Sequence, residues 1–170
     1  MSFYRRYYIQ GGTWFFTVNL HDRRSDLLTR HIHHLRQAVN LVRHKKPFTI
    51  NAWVILPEHM HCIWSLPEDD CDYSGRWREI KKTFTKSLRE EQSMVQVWQP
   101  RFWEHGIRDE EDYRRHVDYI YVNPLKHGLV QHVKDWPYST FHRDVREGLY
   151  SVDWAGDITD FATGEPRFFT

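Results

Sequence analysis

Two apolar runs, residues 48–56 and 59–66, are separated only by Pro57-Glu58. So short a link leaves an antiparallel strand pair as the natural arrangement. The second run opens His59-Met60-His61-Cys62-Ile63-Trp64. Side chains at i and i+2 of a strand share a face, so His59 and His61 project together while Met60, Cys62 and Trp64 point the other way. Two imidazoles side by side on a rigid strand make half of a divalent-metal site. Neither histidine is expected to be core; the pair should sit at the surface of a cleft.

The remaining elements follow from periodicity and turn residues. Gly11-Gly12 marks a turn, and residues 13–20 (TWFFTVNL) read as a first strand. Leu27, Leu28, His31, Leu35, Ala38, Val39 and Val42 recur at helical spacing, which predicts a helix over about 25–44, ended by Pro47. Trp77, Ile80, Phe84 and Leu88 form the apolar stripe of a second helix over about 75–92. Residues 95–104 read as a fourth strand, with Pro100 demanding an edge or a bulge. Residues 109–122 predict a third helix, capped by Asp109 and broken at Asn123-Pro124. Strand, helix, strand, strand, helix, strand predicts an α+β fold: an antiparallel sheet of four to five strands with helices on one face, of the ferredoxin-like or RNA-recognition-motif type.

Composition narrows the function classes. A chain of 170 residues suits one domain with a real core. Net charge is only +1, so affinity for nucleic acid has to come from local clusters. Cys62 and Cys71 suggest no disulfide framework, no signal peptide is evident, and no apolar run approaches the ~20 residues of a membrane span. The expected compartment is the cytoplasm, with no membrane partner.

Local clusters do exist. Arg78, Lys82, Lys86 and Arg89 form a basic stripe beside the apolar stripe of the second helix. Arg5, Arg6, Tyr7 and Tyr8 mix cations with rings, which suits phosphates and unpaired bases. On the third helix, His116, Tyr119 and Asn123 lie on one face at i, i+3, i+7, while Tyr113, Val117 and Ile120 look like core. Tyr121, two positions from Tyr119, points nearly the opposite way. A tyrosine one turn before an amide can bring a phenol and a carbonyl oxygen to one point, and such an oxygen suits Mg²⁺ or Mn²⁺.

These residues carry a resemblance. His59-Met60-His61 matches the histidine–hydrophobe–histidine motif of single-strand endonucleases, and residues 118–128 (DYIYVNPLKHG) resemble the tyrosine helix of REP-associated tyrosine transposases. The stretches YRRYYI, GGTWFFTVNL, NAWVILPEHMHCIW, WQPRFWEH and DWPYSTFHRD look like the same family, so the similarity runs to about Asp160.

The resemblance implies a nucleophile at Tyr119, metal ligands at His59 and His61 with Asn123 as a third, and Mg²⁺ or Mn²⁺ as the ion. It implies attack on a DNA phosphate giving a 5′-phosphotyrosine, with strand rejoining by reversal. His116 and Lys126 are both candidates for proton transfer or phosphate contact. The implied partner is a REP-type single-stranded DNA hairpin, and the basic clusters make Arg5, Arg6, Arg78, Lys82, Lys86 and Arg89 the candidate contacts. A catalytic domain over 1–135 is expected, with residues 136–170 an extension packed on it, and the expected state is a monomer, although insertion-sequence relatives act as dimers. Two other classes fit the same motifs: a non-catalytic single-strand nucleic-acid-binding module, and a hydrolase using metal-bound water.

Overall fold

The computed structural model describes residues 9–88 and 96–156. The order is β1 (Thr13–Asn19), α1 (Leu27–Arg30), α2 (Ile32–Lys45), β2 (Thr49–Ile55), β3 (His59–Ser65), α3 (Tyr73–Leu88), β4 (Trp103–Gly106), α4 (Glu110–Lys126) and α5 (Phe141–Arg146). The four strands form one antiparallel sheet in the order β2-β3-β1-β4. The α+β class, the antiparallel sheet and the β2–β3 pairing are as expected from the sequence.

Helices on one face holds for α2 and α3; α4 takes the other face. The cause lies in β1 and β3, which are apolar on both sides. Trp14, Phe16 and Val18 join Met60, Cys62 and Trp64 under α2 and α3. Phe15 and Ile63 join Val117, Tyr119 and Ile120 of α4. A sheet greasy on both faces needs two covering layers. Trp64 stacks on Trp77 with ring centres 4.3 Å apart, both fully buried; removing either ring is expected to cost about 3–5 kcal/mol. A bulge at Asn51 shifts the phase of β2, so Ile50 and Trp53 face the first cluster while Ala52 and Val54 face the second.

Three boundaries differ from the sequence reading. The first helix breaks at His31 into α1 and α2. β4 starts only at Trp103, beyond Pro100, which lacks the N–H a ladder needs. Most consequentially, α4 does not stop before Pro124 but runs through it to Lys126. The proline removes one helical hydrogen bond, to the Ile120 carbonyl, so close to the end that little is lost. The helix then closes with paired bonds, Gly128 N–H to the Leu125 carbonyl and Leu129 N–H to the Pro124 carbonyl, both 3.0 Å. Gly128 supplies the left-handed residue this ending requires, at φ 69°.

Beyond α4 the chain returns to the edge of β2. Trp136 Nε1 donates to the Ile55 carbonyl, and Ser139 pairs with Val54. Tyr150 and Trp154 pack against Phe141.

Candidate active site

β3 and α4 bring the expected groups together. His59 and His61 lie on the sheet face under α4, with ring centres 4.9 Å apart. Across the β1–β3 ladder they oppose Asn19 and Thr17. The Tyr119 ring centre is 5.1 Å from that of His61, and Lys126 Nζ lies 5.0 Å over the Tyr119 ring. Asn123, one turn after Tyr119, is fully buried.

One expectation needs correction. The histidines are not at the surface: each is 1% exposed. α4 packs over that face closely enough to bury them.

Each imidazole is held by its Nδ1. His59 Nδ1 is 2.7 Å from Glu58 Oε1, and His61 Nδ1 is 2.7 Å from Thr17 Oγ1. With the proton on Nδ1, both Nε2 atoms are left as donors to an ion, the usual outer-shell arrangement of metal-binding histidines. His59 Nε2 is buried with no partner, as are both amide atoms of Asn123 and Asn19 Oδ1. Buried polar atoms left unpaired cost about 1–3 kcal/mol each, and the nitrogen and amide-oxygen donors of His59 and Asn123 are of the kind that would hold a divalent ion. Electrostatics agree. Burial first, then the charges of His59, His127 and Lys126, hold His61 well on the neutral side, the form that binds metal. Burial, the largest single influence, opposes ionisation of Glu58, but the hydrogen bond and charge of His59, its own backbone N–H and Arg23 together outweigh it and lower the carboxyl below its ordinary range.

Sequence reasoning passed over Thr17, Glu58, Arg23 and His127. Arg23 lies 3.7 Å from Glu58. The His127 ring centre is 5.0 Å from that of His59; desolvation and the neighbouring His59 push its pKa down to about 4. The alternation of Thr17 and Asn19 with apolar neighbours in β1 was the available signal for the first of these.

His116 points elsewhere. Its Nδ1 is 2.7 Å from the Asp112 carbonyl, and its ring stacks on His105 at 4.6 Å. His105, Asp112 and His116 bring donor atoms within 4.8 Å of one another. Asp112 Oδ2 already accepts from His105 and from Arg108 through two nitrogens. This cluster ties β4 to the first turn of α4, and Phe15 stands between it and His61. Tyr121 also turns away, donating its hydroxyl to Asp144 on α5.

Of the basic stripe, Arg78, Lys82 and Lys86 are exposed on α3. They lie on the opposite layer from Tyr119. Arg76, next to the stripe, is buried and bound to Asp70 and to the Lys46 and Pro47 carbonyls, a structural role. Arg5, Arg6 and Arg89 lie outside the described residues.

No family model matches the chain. A REP-associated tyrosine transposase of Escherichia coli K12 is 66% identical over 165 residues, covering 97% of this chain and 98% of that protein. The chain belongs to the REP-associated tyrosine transposases. A relative from Haemophilus influenzae with the same family name is 45% identical over 167 residues, 92% of this chain and 95% of its own length. A solved structure of a REP-associated tyrosine transposase bound to a REP hairpin superposes with a TM-score of 0.91 at 65% identity, covering 98% of both chains. Among the described residues no helix is long and apolar enough to cross a membrane.

Proposed function

We propose that this chain is a divalent-metal-dependent endonuclease and strand-transfer enzyme acting on single-stranded REP-type DNA hairpins. The observation that carries the reading is the Tyr119 ring set 5.1 Å from His61, beside buried donors on His59 and Asn123 that lack partners. The relative solved with a REP hairpin supports the choice of substrate.

His59, His61 and Asn123 would hold the ion, Mg²⁺ or Mn²⁺, which when bound polarises the scissile phosphate and offsets its growing negative charge. Tyr119 Oη attacks phosphorus, forming the Tyr–O–P bond as the P–O3′ bond breaks. The 5′ side stays on the tyrosine, and the departing 3′ oxygen takes up a proton. Attack by the 3′-hydroxyl of another strand reverses the step and joins new ends. Lys126, with its ammonium over the Tyr119 ring, stabilises the phenolate, a position that favours it over His116 for this role. His116 serves instead to set α4 on β4. Arg78, Lys82 and Lys86, with Arg5, Arg6 and Arg89, contact the hairpin backbone. We further propose that residues 136–170 form one body with the catalytic part, that the chain works as a monomer, and that it acts in the cytoplasm on the nucleoid.

The test is incubation of the full chain with a labelled single-stranded REP hairpin and Mg²⁺ or Mn²⁺, followed by a denaturing gel. A protein–DNA band, lost with chelator and in Tyr119→Phe, is the expected result. Cleavage without that band would favour hydrolysis by metal-bound water, and binding without cleavage a recognition module.

A further inference from the structure

We infer that His105, Asp112 and His116 form a second cation site, taking an ion of the Zn²⁺ or Co²⁺ class that pins the first turns of α4 to the edge strand β4.

The fold places the donors. Asp112 and His116 stand four apart on α4, so they share a face one turn apart. β4 pairs with β1 and brings His105 alongside them. Among the described residues this is the one set of three His, Cys, Asp or Glu side chains whose donor atoms all lie within 4.8 Å of one another. Phe15 separates it from the Tyr119 site, its ring centre 4.8 Å from that of His116 and 5.7 Å from that of His61. An ion here is therefore distinct from one held by His59 and His61.

The spacing suits one ion. Zn²⁺ binds imidazole nitrogen and carboxylate oxygen at about 2.0–2.2 Å, so two donors in a tetrahedral shell stand roughly 3.3–3.6 Å apart. His105 Nε2 is 2.9 Å from Asp112 Oδ2, and His116 Nδ1 is 3.2 Å from Asp112 Oδ1. In these contacts protons occupy the place an ion would take. Loading requires each imidazole to carry its proton on the other ring nitrogen, and His116 Nδ1 to leave the Asp112 carbonyl, 2.7 Å away. It also requires the near-parallel stack of His105 on His116 to open. His105 has room to turn, since 22% of its side chain is exposed.

Charge points the same way. The Asp112 side chain is 7% exposed, whereas that of Arg108, its cationic partner, is 74% exposed. A buried carboxylate needs a counter-charge, and one held from solvent is readily exchanged for a metal ion. Burial opposes ionisation of Asp112, but hydrogen bonds from His105 and Arg108 outweigh it and keep the carboxyl well below its usual range. Burial also holds His116 on the neutral side. These are the protonation forms that bind metal. Two imidazoles and one carboxylate are a donor set of Zn²⁺ sites that leave a fourth position for water, whereas Mg²⁺ prefers oxygen alone.

The experiment is titration with Zn²⁺ and Co²⁺ of the full chain and of its His59→Ala/His61→Ala variant, which lacks the other proposed histidine ligands. Calorimetry and the visible absorption of Co²⁺ read binding, and melting temperature is followed with added Zn²⁺. The double variant should still bind one ion per chain, and Zn²⁺ should raise its melting temperature. Adding His105→Gln or Asp112→Asn should lower affinity by about tenfold or more and remove that rise. A His59→Ala/His61→Ala chain that binds no ion overturns the inference. So does an affinity unmoved by both His105→Gln and Asp112→Asn, which would put the ion elsewhere and leave the cluster a hydrogen-bonded tie. Where the double variant folds poorly, the wild-type ion count decides: it must fall by one in His105→Gln, and a count that does not fall overturns the site. None of these readouts depends on DNA cleavage, so failure here and failure of the proposed chemistry at Tyr119 remain separate results.

Discussion

Tyr119 and Tyr121, two residues apart on α4, face different chemistry: the first lies against His61, the second donates its hydroxyl to buried Asp144. The second phenol is tied to α5, whereas the first lies over the histidine pair. Tyr119→Phe is expected to abolish cleavage and adduct formation while hairpin affinity and melting temperature stay near wild type. Tyr121→Phe should keep the adduct but lose about 1–3 kcal/mol of stability, because Asp144 loses a buried donor. Gel assays and urea melts on both variants check this; an inactive but stable Tyr121→Phe protein would reverse the assignment.

The groups behind the histidines give a second prediction. Thr17 and Glu58 touch no substrate in the proposed reaction, yet they orient His61 and His59 through 2.7 Å contacts. Thr17→Val and Glu58→Gln should each weaken Mn²⁺ binding by about 10–100-fold with the fold intact. Calorimetry reads the loss directly. Unchanged affinity in both would mean that the imidazoles are aimed by the backbone alone.

A third prediction concerns α3. Arg78, Lys82 and Lys86 are exposed but lie across the sheet from Tyr119. They can therefore grip the hairpin without touching the chemistry. Replacing all three with Gln should weaken hairpin binding and lower the log–log salt slope by roughly one per lost phosphate contact. Adduct formation at saturating DNA should be unaffected. A salt slope equal to wild type would make the stripe an ordinary solvated face.

The reach of the sequence can be judged element by element. The β2–β3 pair, the shared face of His59 and His61, and the core stripe Trp77–Ile80–Phe84–Leu88 follow from periods of 2 and 3.6, and the structure has them all. The depth of the histidines did not follow, because nothing local reveals which face of a doubly apolar sheet a later helix will cover. Pro124 misled for a related reason. A proline argues against a helix on local grounds, but near a C-terminus the single lost bond is outweighed by packing of Ile120 and Tyr121 and by the Gly128 ending. That one residue concealed His127. Arg76 shows that charge alone does not mark a DNA contact: beside the exposed stripe, its guanidinium is held by Asp70 and the Pro47 carbonyl.

The last prediction is alkaline sensitivity. Tyr121 is raised well above an ordinary phenol, by burial first and then by its hydrogen bond to Asp144. Tyr150 is raised likewise, by burial and then by its 2.5 Å bond to Asp118. A folded-state pKa above the unfolded value of about 10 means that the folded chain holds protons the unfolded chain releases. The stabilisation is complete below pH ~10 and declines as pH rises above it. Cys62, whose thiol burial also raises, adds a decline starting near pH ~9. Urea unfolding of wild type from pH 8 to 11 should therefore show stability falling with pH. The double variant Tyr121→Phe/Tyr150→Phe should start lower at pH 8, having lost two hydrogen bonds to carboxylates. It should then fall less steeply above pH 10, since two proton-releasing groups are gone while Cys62 is common to both proteins. Parallel curves would mean that the two phenols ionise in the folded chain as readily as in the unfolded one, and that neither bond to Asp144 or Asp118 survives in solution.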